Sequence, residues 1–133
     1  MQSDLQYFCE MKRVAICFLR DLFLATEAVG VEPQFTSHET ACLLNTSEQD
    51  AHVEITIYFA DREPVGPYSV TVPAKRTKHL RFNELQDPEP IPHDTDYASL
   101  IESDVPIVVQ HTRLDSRQDA NALLSTIAYA SSE

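Results

Sequence analysis

The sequence predicts an all-β protein, a single antiparallel domain of the β-sandwich type. Residues 52–59, HVEITIYF, alternate between apolar and polar side chains, and short apolar runs recur between turns rich in proline. Alternation with a period of two is typical of a strand with one buried face. Short strands at this spacing favour two packed sheets. The chain has 133 residues, which suits one domain with one core.

The predicted strands of the first half follow one another closely. Residues 40–45 form a short strand that ends at a turn-prone Asn-Thr-Ser sequence, and 52–59 form the next strand. After a connection that contains proline and glycine, residues 68–72 return as a partner strand. Pro73 ends that strand because proline donates no ladder hydrogen bond. A further strand is predicted at 76–82.

The second half mixes irregular and regular segments. Residues 83–96 contain three prolines and predict an irregular acidic loop. A turn of helix is expected at 97–102, followed by a strand at 105–113 and a last strand at 123–129.

The first third differs in composition. Residues 5–29 are rich in Leu, Phe, Ala and Met, lack Gly and Pro, and predict an atypical helix-like segment before the β domain. Arg20 and Asp21 divide the apolar stretch into pieces too short for a signal peptide, and no apolar run reaches transmembrane length.

Composition restricts the function. The formal net charge is −11, which disfavours non-specific binding to nucleic acid. Only two glycines occur, so a glycine-rich phosphate loop is not expected. Three cysteines in unrelated contexts form neither a zinc spacing nor a disulfide framework, and we interpret them as reduced thiols in a cytosol.

The segment 105–117, VPIVVQHTRLDSR, carries the main candidate site. On a regular strand His111, Arg113 and Asp115 share one face, with Arg117 next in line. Their donors and acceptors suit a hydroxylated ligand, a carboxylate or a partner loop. The alternative is a row of ion pairs on a solvated face.

A His38–Glu39 pair follows a turn-like Thr-Ser sequence and is a candidate contributor to the same pocket. The alternative, favoured for an isolated His-Glu pair, is a solvated sheet edge.

A basic cluster comprises Lys75, Arg76, Lys78 and Arg81, with His79 among them. In a strand both of its faces are partly charged, which indicates a sheet edge or an interface. The cluster is a candidate patch for nucleic acid or for an acidic partner. The favoured alternative is an edge protected by charge against strand addition.

No catalytic residues, cofactor or metal are expected. Enzyme motifs such as Gly-x-Ser-x-Gly are missing from the sequence, and its five histidines are dispersed without metal-ligand spacing. We therefore predict that the protein is not an enzyme.

From residue 32 onward the sequence resembles the sensory rhodopsin transducer family, soluble cyanobacterial-type partners of microbial sensory rhodopsins. Long ungapped segments carry the resemblance: EPQFTSHET (32–40), LLNTSEQDAHVEITIYF (43–59), DREPVGPY (61–68), TVPAKRTKHLRFNELQDPEPIPHDTDYAS (71–99), ESDVPIVVQHTRLDSRQ (102–118) and NALLSTIAY (121–129). The resemblance implies a β-sandwich-like fold and a homotetramer.

The N-terminus departs from the family pattern, which has a Gly-Tyr-Ile-Pro type segment near the start. Residues 22–28, LFLATEA, can be back-translated so that a shifted frame reads Phe-Ile-Pro-Ser-Tyr-Gly-Ser. We interpret residues 1–31 as a frame-shifted or misannotated start and 32–133 as the transducer-like domain. The alternative is a divergent helical terminus.

The resemblance implies a cytoplasmic signalling adaptor that binds the cytoplasmic face of a membrane sensory rhodopsin and relays its light-dependent state. The second hypothesis is a module for a sugar-like small molecule that uses the arm from His111 to Arg117. A DNA-binding regulator is the third, and the net charge disfavours it.

Overall fold

The computed structural model describes residues 13–18, 38–93, 95–115, 122–127 and 129–130. The regular elements within these ranges are β-strands and a single turn of 3-10 helix at Phe82–Glu84. The strands, in chain order, are β1 (Arg13–Phe18), β2 (His38–Asn45), β3 (Ala51–Phe59), β4 (Val65–Val72), β5 (Arg76–Arg81), β6 (Tyr97–Ser103), β7 (Val108–Asp115), β8 (Ala122–Ile127) and β9 (Tyr129–Ala130).

The strands form two sheets. The first sheet has five strands in the order β4-β3-β6-β1-β9, and the second has four in the order β5-β2-β7-β8. Every ladder between these strands is antiparallel. The predicted fold class, an antiparallel β-sandwich, is therefore confirmed.

The alternation of β3 determines which of its faces packs in the core. Val53, Ile55 and Ile57 are buried, while His52 and Glu54 are exposed. The inward residues of both sheets form one apolar core between them, as expected for a β-sandwich. That core comprises Ala41, Leu43, Ala51, Val53, Ile55, Ile57, Tyr68, Val72, Leu80, Phe82, Leu85, Ile91, Tyr97, Ile101, Ile107 and Val109.

Two predictions of helix are wrong. Residues 13–18, inside the predicted helix of 5–29, form β1, and the rest of that segment lies outside the described residues. Residues 97–102 belong to β6. Both strands have a neighbour on each side, since β6 lies between β3 and β1 and β1 between β6 and β9. Short apolar runs of this kind lack the alternation that separates a strand from a helix.

The other predicted strands are confirmed with small shifts. β7 begins at Val108 rather than at residue 105, and the last predicted strand is divided into β8 and β9, which join different sheets. The division of the chain at residue 31 stays a prediction.

Asn45 connects the two sheets at the end of β2. Its buried side chain donates from Nδ2 to the carbonyl oxygens of Gln49, at 2.7 Å, and of Val72, at 3.0 Å. Its Oδ1 accepts from the backbone N–H of Ser47 at 3.0 Å. A single amide thereby holds the turn after β2 against the end of β4 in the other sheet.

The described residues contain no helix long and apolar enough to cross a membrane.

Candidate functional site

A buried ionic cluster joins β2 to β7. The carboxylate of Glu39 accepts hydrogen bonds from Nε2 of His111 and from Nε of Arg113, the latter at 2.6 Å. Glu39 is 0 % exposed, and His111 and Arg113 are each 7 % exposed. These three side chains are called the inner cluster below.

The strand register explains why the inner cluster forms. Glu39 and Arg113 are direct partners across the β2–β7 ladder, and His111 lies two residues along β7 on the same face. Their strands carry apolar side chains inward nearby, among them Leu43 and Val109. Burial of an unpaired carboxylate would be very unfavourable, so the two donors from β7 are what make a glutamate tolerable at this position.

The inner cluster faces polar groups of the other sheet. Burial raises the pKa of Tyr97 well above its ordinary value, the negative charge of Glu39 raises it further, and the positive charge of Arg113 partly opposes this. Ser99, on the same face of β6, is 1 % exposed and its hydroxyl has no hydrogen-bond partner among the described residues. β6 therefore carries buried polar side chains on the face that packs against the other sheet.

A second polar surface lies on the opposite face of β2 and β7. It is a groove of about 440 Å³ lined by residues from three neighbouring strands and the 3-10 turn: His38, Thr40, Cys42, His79, Arg81, Glu84, Gln110 and Thr112. We call it the outer groove. His38 lines it while the adjacent Glu39 points inward, so the structure separates the two members of the predicted His-Glu pair.

The structure brings Glu39, His111 and Arg113 together. It buries them rather than placing them on a solvated face or edge. Asp115 ends β7 and pairs with Ala122 of β8, whereas Arg117 lies outside the described residues. A binding role for any of these residues stays a prediction.

The basic cluster lies mainly on an edge strand. Arg76, Lys78 and Arg81 are in β5, which has β2 as its only neighbour among the described strands. Lys75 precedes β5, and its ammonium lies 2.6 Å from the carboxylate of Glu48. Among the described strands this segment is a sheet edge, in agreement with its interpretation, and its role as a docking patch stays a prediction.

Most of the residues that line the outer groove were not predicted as a site. Its signal was present in the polar residues at every second position of β2 (His38, Thr40, Cys42) and of β7 (Gln110, Thr112). In 105–117 the charged residues of the inward face are the stronger signal, and the uncharged Gln110 and Thr112 on the other face indicate no particular chemistry. Within the described residues no group of three or more potential metal ligands occurs.

Comparison with known proteins assigns the family. The sequence pattern of the Anabaena sensory rhodopsin transducer family matches residues 15–130. This chain belongs to that family. The match includes most of β1 and all the later strands, so the resemblance noted from residue 32 onward is confirmed and extends upstream.

Two solved structures illustrate the relationship. The Anabaena sensory rhodopsin transducer is 60 % identical over 77 % of this chain and 96 % of its own, with a TM-score of 0.68. Thermotoga maritima 1070 is 28 % identical over 92 % of this chain and 96 % of its own, with a TM-score of 0.78. No curated protein matches this chain.

Proposed function

We propose that this protein is a cytoplasmic signalling adaptor that binds the sensory rhodopsin of its own cell and relays its light-dependent state. Membership of the transducer family over residues 15–130 is the observation that supports it most directly. The adaptor needs no catalytic group. It does need different affinities for the dark and illuminated rhodopsin, because a partner with equal affinity for both states carries no signal.

The acidic loop, residues 83–96, is the best-suited surface for such a partner. Leu85 and Ile91 are buried in the core, and the hydroxyl of Tyr68 donates to the carbonyl oxygen of Glu89 at 2.7 Å. With its backbone held in this way, the loop exposes the carboxylates of Asp87 and Glu89. Cytoplasmic loops of membrane proteins are enriched in Lys and Arg, so charge attracts this loop to them.

We expect a homotetramer peripheral to the membrane, as the resemblance implies. Light scattering coupled to size exclusion would measure the mass of the assembly. A monomer at micromolar concentration would contradict this part of the proposal.

The primary experiment is a calorimetric titration of the purified rhodopsin with this protein, in darkness and under illumination. We expect binding whose dissociation constant changes on illumination. Equal affinity in both states, or no binding, would contradict the adaptor role.

A pair of charge variants tests the acidic loop. D87N/E89Q should weaken rhodopsin binding about fivefold at low salt, since exposed ion pairs contribute up to about 1 kcal/mol. D61N/E63Q removes the same charge from the exposed loop between β3 and β4 and is the matched control. An equal effect of both variants would indicate general electrostatic attraction rather than docking through the acidic loop.

A small-molecule module is the second candidate, and the buried, unpartnered hydroxyl of Ser99 on the inward face of β6 favours it. A buried hydroxyl without a partner is energetically unfavourable, and a hydroxylated ligand between the sheets would provide one. Only Nε of Arg113 is engaged in the bond to Glu39, which leaves its other guanidinium donors for such a ligand.

Titration with D-glucose and D-glucuronate tests this candidate. The candidate is supported if one of these compounds binds and if S99A weakens that binding without changing the unfolding temperature of the protein. If neither compound gives a heat of binding at millimolar concentration, a site for simple sugars between the sheets is contradicted. R113A is a less informative variant because it leaves the Glu39 carboxylate buried without its ion-pair partner.

DNA binding through the basic cluster is the least favoured candidate. It requires an affinity for duplex DNA that falls steeply as the salt concentration rises.

A further inference from the structure

The floor of the outer groove is a small grid of polar side chains set by the strand register. Thr40 lies between Arg81 of β5 and Thr112 of β7, and these three residues form one row across the sheet. The next row holds Cys42 between His79 and Gln110. Adjacent strands are about 4.8 Å apart, so each row places three side chains within about 10 Å.

Thr40 is the unusual member of this grid. It is 7 % exposed although it lies on the outward face of its sheet, and it lines the groove. Its hydroxyl makes no side-chain hydrogen bond to any residue of the described ranges. A sheltered hydroxyl that faces a cavity, without a protein partner, is a donor and acceptor available to a bound molecule.

The charges around the groove favour an anion. The Arg81 guanidinium provides N–H donors suited to a carboxylate or phosphate, and the ring N–H groups of His38 and His79 add further donors at the lining. Thr40 and Thr112 contribute hydroxyls beside Arg81. Glu84 is the carboxylate of the lining; it is exposed, and its repulsion of an anion opposes the attraction of the Arg81 guanidinium.

We propose that the outer groove binds a small oxyanion, a carboxylate or phosphate compound, through the row formed by Arg81, Thr40 and Thr112. The site is separate from the inner cluster, since Thr40 and Glu39 are neighbours that point to opposite faces of β2. It does not depend on the adaptor function. An anion bound there would contact side chains of three adjacent strands, β5, β2 and β7.

The thiol of Cys42 provides a reporter for this site. Cys42 is half-buried in the second row of the grid. Its alkylation by iodoacetamide is followed by peptide mass spectrometry, at constant ionic strength, with phosphate, citrate or acetate replacing chloride. We expect at least one of these oxyanions to slow the alkylation of Cys42 with a saturating dependence on concentration. The identity of that anion distinguishes a phosphate site from a carboxylate site.

Variants then locate the contact. T40V and R81Q should each weaken the protection about tenfold, because hydrogen bonds to a charged group contribute about 1.5–3 kcal/mol. T40S retains the hydroxyl and should retain binding, which separates loss of the hydroxyl from a change in packing. T71V on the exposed face of β4 and R76Q near the start of β5 are the matched controls and should bind as the wild type does.

Three results would overturn the proposal. The first is that no oxyanion alters the alkylation rate, and the second is a linear, non-saturating effect. The third is that R76Q weakens protection as much as R81Q, since that would indicate a diffuse surface potential and not a site.

Discussion

At the scale of single residues, the inner cluster keeps ionisable groups of both signs away from water. The Glu39 carboxylate is 0 % exposed and depends on the two donors that β7 presents to it. Once one partner of such a pair loses its charge, the other remains buried without compensation. The cluster thereby makes the pairing of β2 with β7 sensitive to a single substitution.

We expect E39Q to lower the free energy of unfolding by about 3–5 kcal/mol, because it leaves the Arg113 guanidinium buried without a counter-ion. Urea denaturation followed by far-UV circular dichroism measures the change. E63Q makes the same substitution at an exposed position and should change stability by less than about 0.5 kcal/mol. Equal stabilities of E39Q and E63Q would show that the cluster does not contribute to folding.

A surface pair gives a dependence on pH. His52 Nδ1 lies 2.7 Å from Oδ2 of Asp104, and this hydrogen bond is the largest cause of both a raised pKa for His52 and a lowered pKa for Asp104. A raised histidine pKa contributes stability below the unfolded value of 6.5 and loses it as pH rises through the folded value. A lowered aspartate pKa contributes stability above 3.8 and loses it as pH falls through the folded value.

The pair therefore stabilises most between about pH 4 and pH 6.5. NMR titration of the His52 ring should give a pKa above 6.5 in the wild type and a lower one in D104N. The difference in unfolding temperature between the two proteins should be largest within that window and shrink at more alkaline pH. A His52 pKa that is the same in both proteins would contradict the assignment.

At the scale of elements, β4 depends on one glycine. The register of β3 with β4 shifts between Ile55 and Ile57, and Gly66 lies opposite with φ +149°. A Cβ at Gly66 would lie 2.8 Å from the carbonyl oxygen of Ile55 and 3.1 Å from Cα of Thr56. Both contacts are with backbone, so neither can be relieved by a side-chain rotation.

We expect G66A to destabilise the protein by about 1–3 kcal/mol through backbone strain and this steric clash. Thermal unfolding would measure the loss, and hydrogen exchange should locate it in the β3–β4 ladder. S69A, at an exposed position of the same strand, is the control. Uniform loss of protection throughout both sheets, with β4 no more affected than the rest, would contradict a local cause.

The elements also show what the sequence could predict. β3 was assigned correctly because one of its faces is solvated, so its side chains alternate. β6 and β1 were assigned to helix because apolar and polar residues do not alternate strictly along Tyr97–Ser103 or Arg13–Phe18. Alternation along 105–117 placed His111 and Arg113 on one face correctly, but their burial against Glu39 depends on the β2–β7 register, which joins distant segments.

At the scale of the whole molecule, the N-terminal strand is internal to its sheet. β1 lies between β6 and β9, pairing Val14 with both Ile101 and Ala130. Its removal would expose one side of β6 and leave β9 without its partner. Unpaired strand edges promote association between copies.

We therefore expect deletion of residues 1–18 to yield aggregated protein or a strongly reduced far-UV β signal, measured by size exclusion and circular dichroism. Deletion of residues 1–12 retains β1 and should leave the protein folded. Normal folding of the longer deletion would show that β1 is dispensable. It would favour the interpretation of residues 1–31 as a start that contributes nothing to the domain.

The position of β1 also affects how this protein emerges from the ribosome. β1 is synthesised well before its two partners, Tyr97–Ser103 and Tyr129–Ala130. Its backbone donors and acceptors therefore have no native ladder until those later strands have left the ribosome. During that interval the nascent chain exposes an unpaired strand, and we expect a chaperone that captures short apolar segments to bind residues 13–18 before the first sheet closes.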